Sequence, residues 1–185
     1  MKSLFIILLC MLLAGLGLCI CGPKSYKDPY FCIIKEYQGY MDYENYAIYD
    51  IDDNGMNELL LGNTSIYTIY TIQNGVAVQQ DYHADHDDYA FSSIVYINGV
   101  VKSERGDPWK TDLSYYRFED GELKCQVRLT HIHDNDMVNE YYRHYLDGTK
   151  EAITKEEFDR VKAEFEGDGQ EVELDWKPLR RYRRR

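Results

Sequence analysis

Five Asn-Gly or Asp-Gly pairs punctuate this chain: Asn54-Gly55, Asn74-Gly75, Asn98-Gly99, Asp120-Gly121 and Asp147-Gly148, with their glycines 20, 24, 22 and 27 residues apart. Such pairs accept the positive φ angles of tight reversals, so each one set between β-rich runs predicts two antiparallel strands. The runs are present at 66–72, 91–97 and 113–119, rich in tyrosine, isoleucine and threonine. The stretch 115–121 is echoed at 141–148, each opening Tyr-Tyr-Arg and closing Asp-Gly. The expected fold is α+β and mostly β: an antiparallel meander of hairpins forming a curled sheet, with a short N-terminal helix and one C-terminal helix.

The first helix is predicted from Asp28-Pro29, a cap followed by a first-turn proline, with Tyr30, Ile33, Ile34 and Tyr37 on one face before Gly39. The second follows Thr154, whose partner three residues on is Glu157, a capping box; Phe158, Val161 and Phe165 form its apolar stripe. After Gly167-Asp168-Gly169, the alternation Val172, Leu174, Trp176 predicts a last strand ending before Pro178.

Lys2, an apolar run from Leu4 to Leu18, and Cys19-Ile20-Cys21 read as an export leader over residues 1–21. Leu16-Gly17-Leu18-Cys19 resembles a bacterial lipoprotein box, in which the cysteine, Cys19 or Cys21, is lipidated; plain secretion and an uncleaved anchor are the alternatives. Residues 22–179 amount to one domain's worth of chain, and 180–185 form a basic tail holding five arginines. Without that tail and Lys2 the body carries 15 basic residues against 32 acidic. So negative a body repels nucleic-acid phosphates and favours cations.

Within that acidic body one spacing stands out. Asp50, Asp52, Asn54 and Glu58 occupy loop positions 1, 3, 5 and 9, Gly55 position 6, and Met56 would offer its carbonyl at 7. Calcium takes six to eight oxygens, and the glycine permits the turn that points alternate carboxylates inward. Leu61 stands at position 12, where a helix-loop-helix hand carries its bidentate acid, so strands are expected to flank this loop: 46–49 before it and 59–61 after. An Asx-rich turn without an ion is the competing reading.

The stretch 46–61 resembles the repeat loop of FG-GAP or VCBS-type calcium-binding hairpins. It is also similar to a group of uncharacterised cell-envelope lipoproteins of Gram-positive anaerobes that carry one such loop after a short helix, a likeness extending loosely to the hairpins and to 174–179. The resemblance implies calcium and exposure at the cell surface and brings no catalytic residues. One loop in place of several departs from FG-GAP propellers.

Other constellations are less specific. His83 and His86 lie among aspartates, as do His131 and His133, and imidazole with carboxylate suits a transition metal, giving a candidate second site. The series Leu123, Cys125, Val127, Leu129 continues into both later histidines, so one long strand would turn them to the core. Cys32 and Cys125, the two cysteines of the body, fit either one disulfide or two buried thiols. Arg105-Gly106-Asp107 matches a tripeptide read by adhesion receptors, in an expected loop. A Gly-x-Ser-x-Gly elbow, a phosphate-cradling glycine loop and a His-Glu-x-x-His helix are all absent from the sequence.

These features favour an exported, membrane-anchored, calcium-stabilised surface domain that binds an envelope polymer or protein without catalysis; the alternative is a metal-dependent extracellular hydrolase built on the His/Asp loops. The leader makes the first prediction. Intact mass of the cell-associated protein will show a mature N-terminus at Cys19 or Cys21 carrying a diacylglycerol, whereas an unmodified N-terminus in the culture medium refutes lipidation.

Overall fold

The computed structural model describes residues 29–40, 42–80, 90–133 and 139–179. The leader with Cys19 and Cys21, the basic tail, and His83 and His86 lie outside the described residues. Among the described residues eleven strands are formed: β1 (Asn45–Tyr49), β2 (Glu58–Gly62), β3 (Ile66–Gln73), β4 (Val76–Gln79), β5 (Ala90–Val95), β6 (Val101–Asp107), β7 (Lys110–Glu119), β8 (Glu122–His133), β9 (Asn139–His144), β10 (Lys150–Ile153) and β11 (Lys177–Pro178). Helix α1 (Phe31–Tyr37) precedes them and α2 (Lys155–Glu166) follows β10.

All strand pairings are antiparallel, and the expected mostly-β meander with two helices is present. Its strands divide between two open sheets, in the orders β11-β1-β2-β3-β4 and β10-β9-β8-β7-β6-β5. The division follows from apolar residues on both faces of the central strands. Ala47, Ile51, Leu60, Ile66 and Ile69 of the first sheet's side pack with Val95, Val101, Tyr116 and Leu123 of the second. On the far face of the first sheet, Leu59, Leu61 and Tyr70 meet Tyr30 and Ile33 at α1. On the far face of the second, Leu113, Tyr115, Val127 and Leu129 meet Phe158 and Val161 of α2. The layers therefore run helix, sheet, sheet, helix.

Positive φ at both Asn74 and Gly75, and at both Asp120 and Gly121, makes these the tight hairpins that the dipeptides predict, joining β3 to β4 and β7 to β8. Two bulges then reset the faces. Tyr115 pairs with Val127 but Tyr116 with Cys125, so Gln126 is the extra residue. The odd-numbered series consequently serves two cores: Leu123 and Cys125 face the first sheet, whereas Val127 and Leu129 face α2. Likewise Leu61 pairs with Thr68 and Gly62 with Ile66, leaving Tyr67 as the extra residue.

Three expectations are corrected. Residues 172–176 form no ladder, yet Val172, Leu174 and Trp176 do alternate into the core between the sheets. The segment bonds to the β5 edge through the Val172 N–H and Val95 carbonyl (2.8 Å), then pairs with β1, where Pro178 stands in an outer strand that needs no donor from it. Second, Arg105-Gly106-Asp107 is no loop: all three residues lie in β6, within a strand paired on both sides. Third, α1 begins at Phe31, and its N-cap, Tyr30, makes no side-chain cap bond. Helix α2 begins as expected, with the Thr154 hydroxyl accepting from the Glu157 N–H at 3.2 Å.

At the first bulge a Cβ on Gly62 would stand 2.0 Å from the Ser65 carbonyl oxygen. Gly62→Ala is therefore expected to lower stability in urea by about 3 kcal/mol or more. Gly121→Ala, at φ +77° with nothing within 4 Å, is expected to cost about 1 kcal/mol. Equal losses would show that the Gly62 contact relaxes.

Candidate metal centre

The loop 50–57 joins β1 to β2 and is fixed by its own polar groups. Asp50 accepts from the Asn54 N–H (3.1 Å) and the Gly55 N–H (2.8 Å), while Asn54 Oδ1 accepts from the Met56 N–H (2.7 Å). Positive φ at Asp53 and Gly55 lets the chain reverse within this span. Ile51 is buried in the core between the sheets and anchors the loop from beneath. From one side the Gly99 turn closes on the Ile51 carbonyl so tightly that a Cβ there would come within 3.0 Å. From another, the Tyr30 hydroxyl donates to the Asn57 carbonyl (2.6 Å).

Inside this frame carboxylate oxygens of Asp50, Asp52 and Glu58 all lie within 4.8 Å of one another. Oxygens that close together can share one cation, since ligands on opposite sides of a calcium ion at about 2.4 Å stand no farther apart than that. Glu58, the first residue of β2, is wholly buried; it accepts from the Ile51 N–H (2.9 Å) and the Thr71 hydroxyl (3.1 Å). Asp52 accepts from the Asn54 amide through Oδ2 (2.9 Å), whereas its Oδ1 is buried with no hydrogen-bond partner. A lone buried acceptor beside two further carboxylates is costly unless a proton or a cation serves it. Burial pushes Glu58 up to about 7, against the lowering effect of the Ile51 and Thr71 bonds and with further raising by Asp52 and Asp50.

Three of the five expected ligands are thus brought together. Asn54 is one hydrogen bond away, with its oxygen committed to Met56, and Asp53 is exposed, as expected of the residue between ligand positions. Met56 is also exposed. Thr71, which secures the buried acid, was not legible as part of the site. Its only sequence signal is the two-residue spacing from Ile69, and the Tyr67 bulge must be known before that face can be assigned.

The second candidate is only partly assembled among the described residues. The rings of His131 and His133 have centroids 3.9 Å apart, His131 stacks on Tyr141, and the imidazoles bond to Asn139 (3.0 Å) and the Thr111 hydroxyl (3.0 Å) respectively. Asp50, Asp52 and Glu58 form the one metal-type cluster of three or more His, Cys, Asp or Glu among those residues. Of the two readings of the body cysteines, a Cys32–Cys125 disulfide or two thiols, neither holds as stated: Cys125 is a free thiol and Cys32 is disulfide-bonded. The Gln126 bulge turns Cys125 toward the space between the sheets, away from α1.

A triad-like chain occurs elsewhere. Thr130 donates to Asp112 (2.6 Å) and lies 2.9 Å from His144 Nε2. Because its one proton is already given to Asp112, the Thr130 oxygen accepts from the imidazole, and the residue is buried. That orders three strands without activating a nucleophile. No protein-family model, curated protein or solved structure matches this chain.

Glu58 sets a pH dependence. Its folded-state pKa lies above the unfolded value near 4.5, so the folded protein holds an extra proton between the two, and its contribution to stability falls as pH rises through about 7. In chelator, Glu58→Gln is expected to be more stable than the parent at pH 8, by up to about 3 kcal/mol, with the difference closing near pH 5. A gap independent of pH would show that Glu58 does not titrate in this range.

Proposed function

We propose that this chain is an exported, membrane-anchored surface domain whose 50–58 loop binds calcium and which holds an envelope polymer or protein without chemical turnover. The observation that carries the calcium reading is the cluster itself: three carboxylates in mutual reach, one wholly buried and another with an orphaned oxygen. All the donors are hard oxygens, which selects calcium or magnesium over softer metals. Magnesium sheds its water reluctantly, so a loop supplying several protein oxygens favours calcium. Binding holds Glu58 in its ionised form, removing the cost of burying it beside two like charges.

The location rests on the apolar leader and its cysteines, and the likeness of 46–61 to FG-GAP or VCBS hairpins agrees with an extracellular calcium supply. The non-catalytic reading is supported by the described imidazoles, which bond to amide and hydroxyl partners and pack against aromatic rings.

Calcium at ten times its dissociation constant is expected to add about 1.4 kcal/mol, raising the melting temperature by a few degrees, with magnesium doing little. Asp52→Asn should abolish that response while melting no lower than the parent in chelator, since it removes a like charge. Metal analysis of protein purified without added metal should find calcium and no stoichiometric zinc, manganese or iron. Identical melts with and without calcium refute the ion; stoichiometric zinc, or hydrolysis of ester, phosphate or glycosidic probes that vanishes in His131→Ala/His133→Ala, establishes the hydrolase instead.

A further inference from the structure

The sandwich leaves a groove of about 560 Å³ where the first sheet ends and the second runs on. Its near wall is the β3–β4 end of the first sheet, Gln73, Val78, Gln79 and Gln80; its floor is β7 and β8, with Tyr116, Leu123, Cys125 and Arg128 and the oppositely charged Glu122 and Lys124; Leu146 lies at its margin. The volume suits a ligand of a few hundred daltons. The Gln126 bulge creates the floor. In an unbroken strand Cys125 and Arg128, three residues apart, would point to opposite faces, whereas the extra residue sets both on the groove side.

Arg128 does not stand alone. Across the second sheet, Ser114, Arg128, His144 and Lys150 oppose one another on successive strands and so share a face. Burial first, and then Lys150, Lys110 and Arg128 against the opposing pull of Asp112, holds the His144 imidazole below its ordinary pKa. Lys110 is paired with Asp112 (2.6 Å), so the cations left at this end are Arg128 and Lys124 in the groove, against the one carboxylate of Glu122, and Lys150 beyond His144, in a chain whose net charge is −11. The polar walls are committed: Gln80 accepts from the Leu123 N–H (2.8 Å) and donates to the Val78 carbonyl, Gln73 donates to the Gly121 carbonyl (2.9 Å), and the Gln79 side chain lies with Tyr70 on the opposite face of its sheet. Val78, Leu123 and the exposed Leu146 add apolar surface.

We propose that this groove binds one anionic sugar or polyol unit of a polymer, with its carboxylate or phosphate seated on Arg128 and its C–H face on Leu123 and Leu146. The inference rests on the binding-domain reading and supplies its ligand chemistry. Guanidinium matches carboxylate and phosphate through paired donors, which gives the anion a defined orientation. The rest of the acidic body selects against densely charged chains. Duplex nucleic acid, with one charge per roughly 1.7 Å, meets net repulsion, whereas a polymer with one anion per sugar places its charge on the cations alone.

Cys125, the free thiol of the groove floor, reports occupancy. The full chain, in calcium, would be titrated calorimetrically with an oligogalacturonate, a glycerol phosphate oligomer and a neutral glucan. Alkylation of Cys125 by iodoacetamide would be followed by peptide mass spectrometry. Binding of an acidic oligomer should slow alkylation of Cys125 at least fivefold and weaken with salt; the neutral glucan should do neither. Whether oligogalacturonate or glycerol phosphate protects identifies the anion. Arg128→Gln should reduce affinity at least tenfold with an unchanged melting temperature, and Arg128→Lys should recover part of it. Equal binding of the neutral glucan, unprotected Cys125, or full affinity in Arg128→Gln overturns the site. Retention on cell walls that the acidic oligomers do not compete also refutes the groove while leaving the binding-domain reading intact. If the walls do not retain the protein, that broader reading falls, and protection of Cys125 still decides the groove.

Discussion

Strand β2 is buried along its whole length and on both faces, and the rest of the structure is arranged to make that tolerable. Leu59 and Leu61 point one way, to α1; Glu58 and Leu60 point the other, between the sheets. Covering two faces takes a helix on one side and a second sheet on the other. The second sheet then has its own outer face, which α2 covers with Phe158 and Val161. The one polar side chain in β2, Glu58, sits at its start, where Thr71 and the Ile51 N–H satisfy it and where the loop sets Asp50 and Asp52 beside it.

Much of this was legible in the sequence, and the features that were not share one cause. The dipeptides at 74–75 and 120–121 specify positive φ by their own chemistry, and Thr154 caps α2 through an atom it carries itself, so these can be read locally. A bulge carries no comparable residue signature. Gln126 and Tyr67 look like ordinary strand residues, yet each inverts the facing of everything beyond it. Leu123 to Leu129 would form one face only in an unbroken strand. The bulge is why that series serves two cores, and why Cys125 and Arg128 line one groove. The same limit hid the division into two sheets, since periodicity shows that a strand has a buried face without showing which layer covers it.

The loop shows the opposite balance. Its spacing singles out Asp50, Asp52 and Glu58, and these converge. Spacing could not show that they differ in kind. Asp50 is used twice by backbone N–H groups of the loop, which shapes the turn; Glu58 is buried beneath it; Asp52 keeps one oxygen with no partner. A mere Asx turn explains Asp50 and Asn54 in full. It leaves a buried glutamate and an orphaned Asp52 oxygen unexplained, and that remainder is what favours an ion over a turn.

The proton and the proposed cation compete for the same place, and their consequences differ. A proton on Glu58 neutralises one charge and leaves Asp52 Oδ1 without a donor unless the carboxyl reorients, which would break its bond from Ile51 or from Thr71. A calcium ion answers all three acids at once and keeps both bonds. It would also act on more than the loop, because Ile51 is part of the core between the sheets, the Gly99 turn rests on its carbonyl, and Tyr30 ties Asn57 to α1. An ion held there fastens β1 and β2, the turn before β6, and the N-terminal helix to one point, so its binding free energy stabilises the contact between the sheets as well as the hairpin that supplies the ligands.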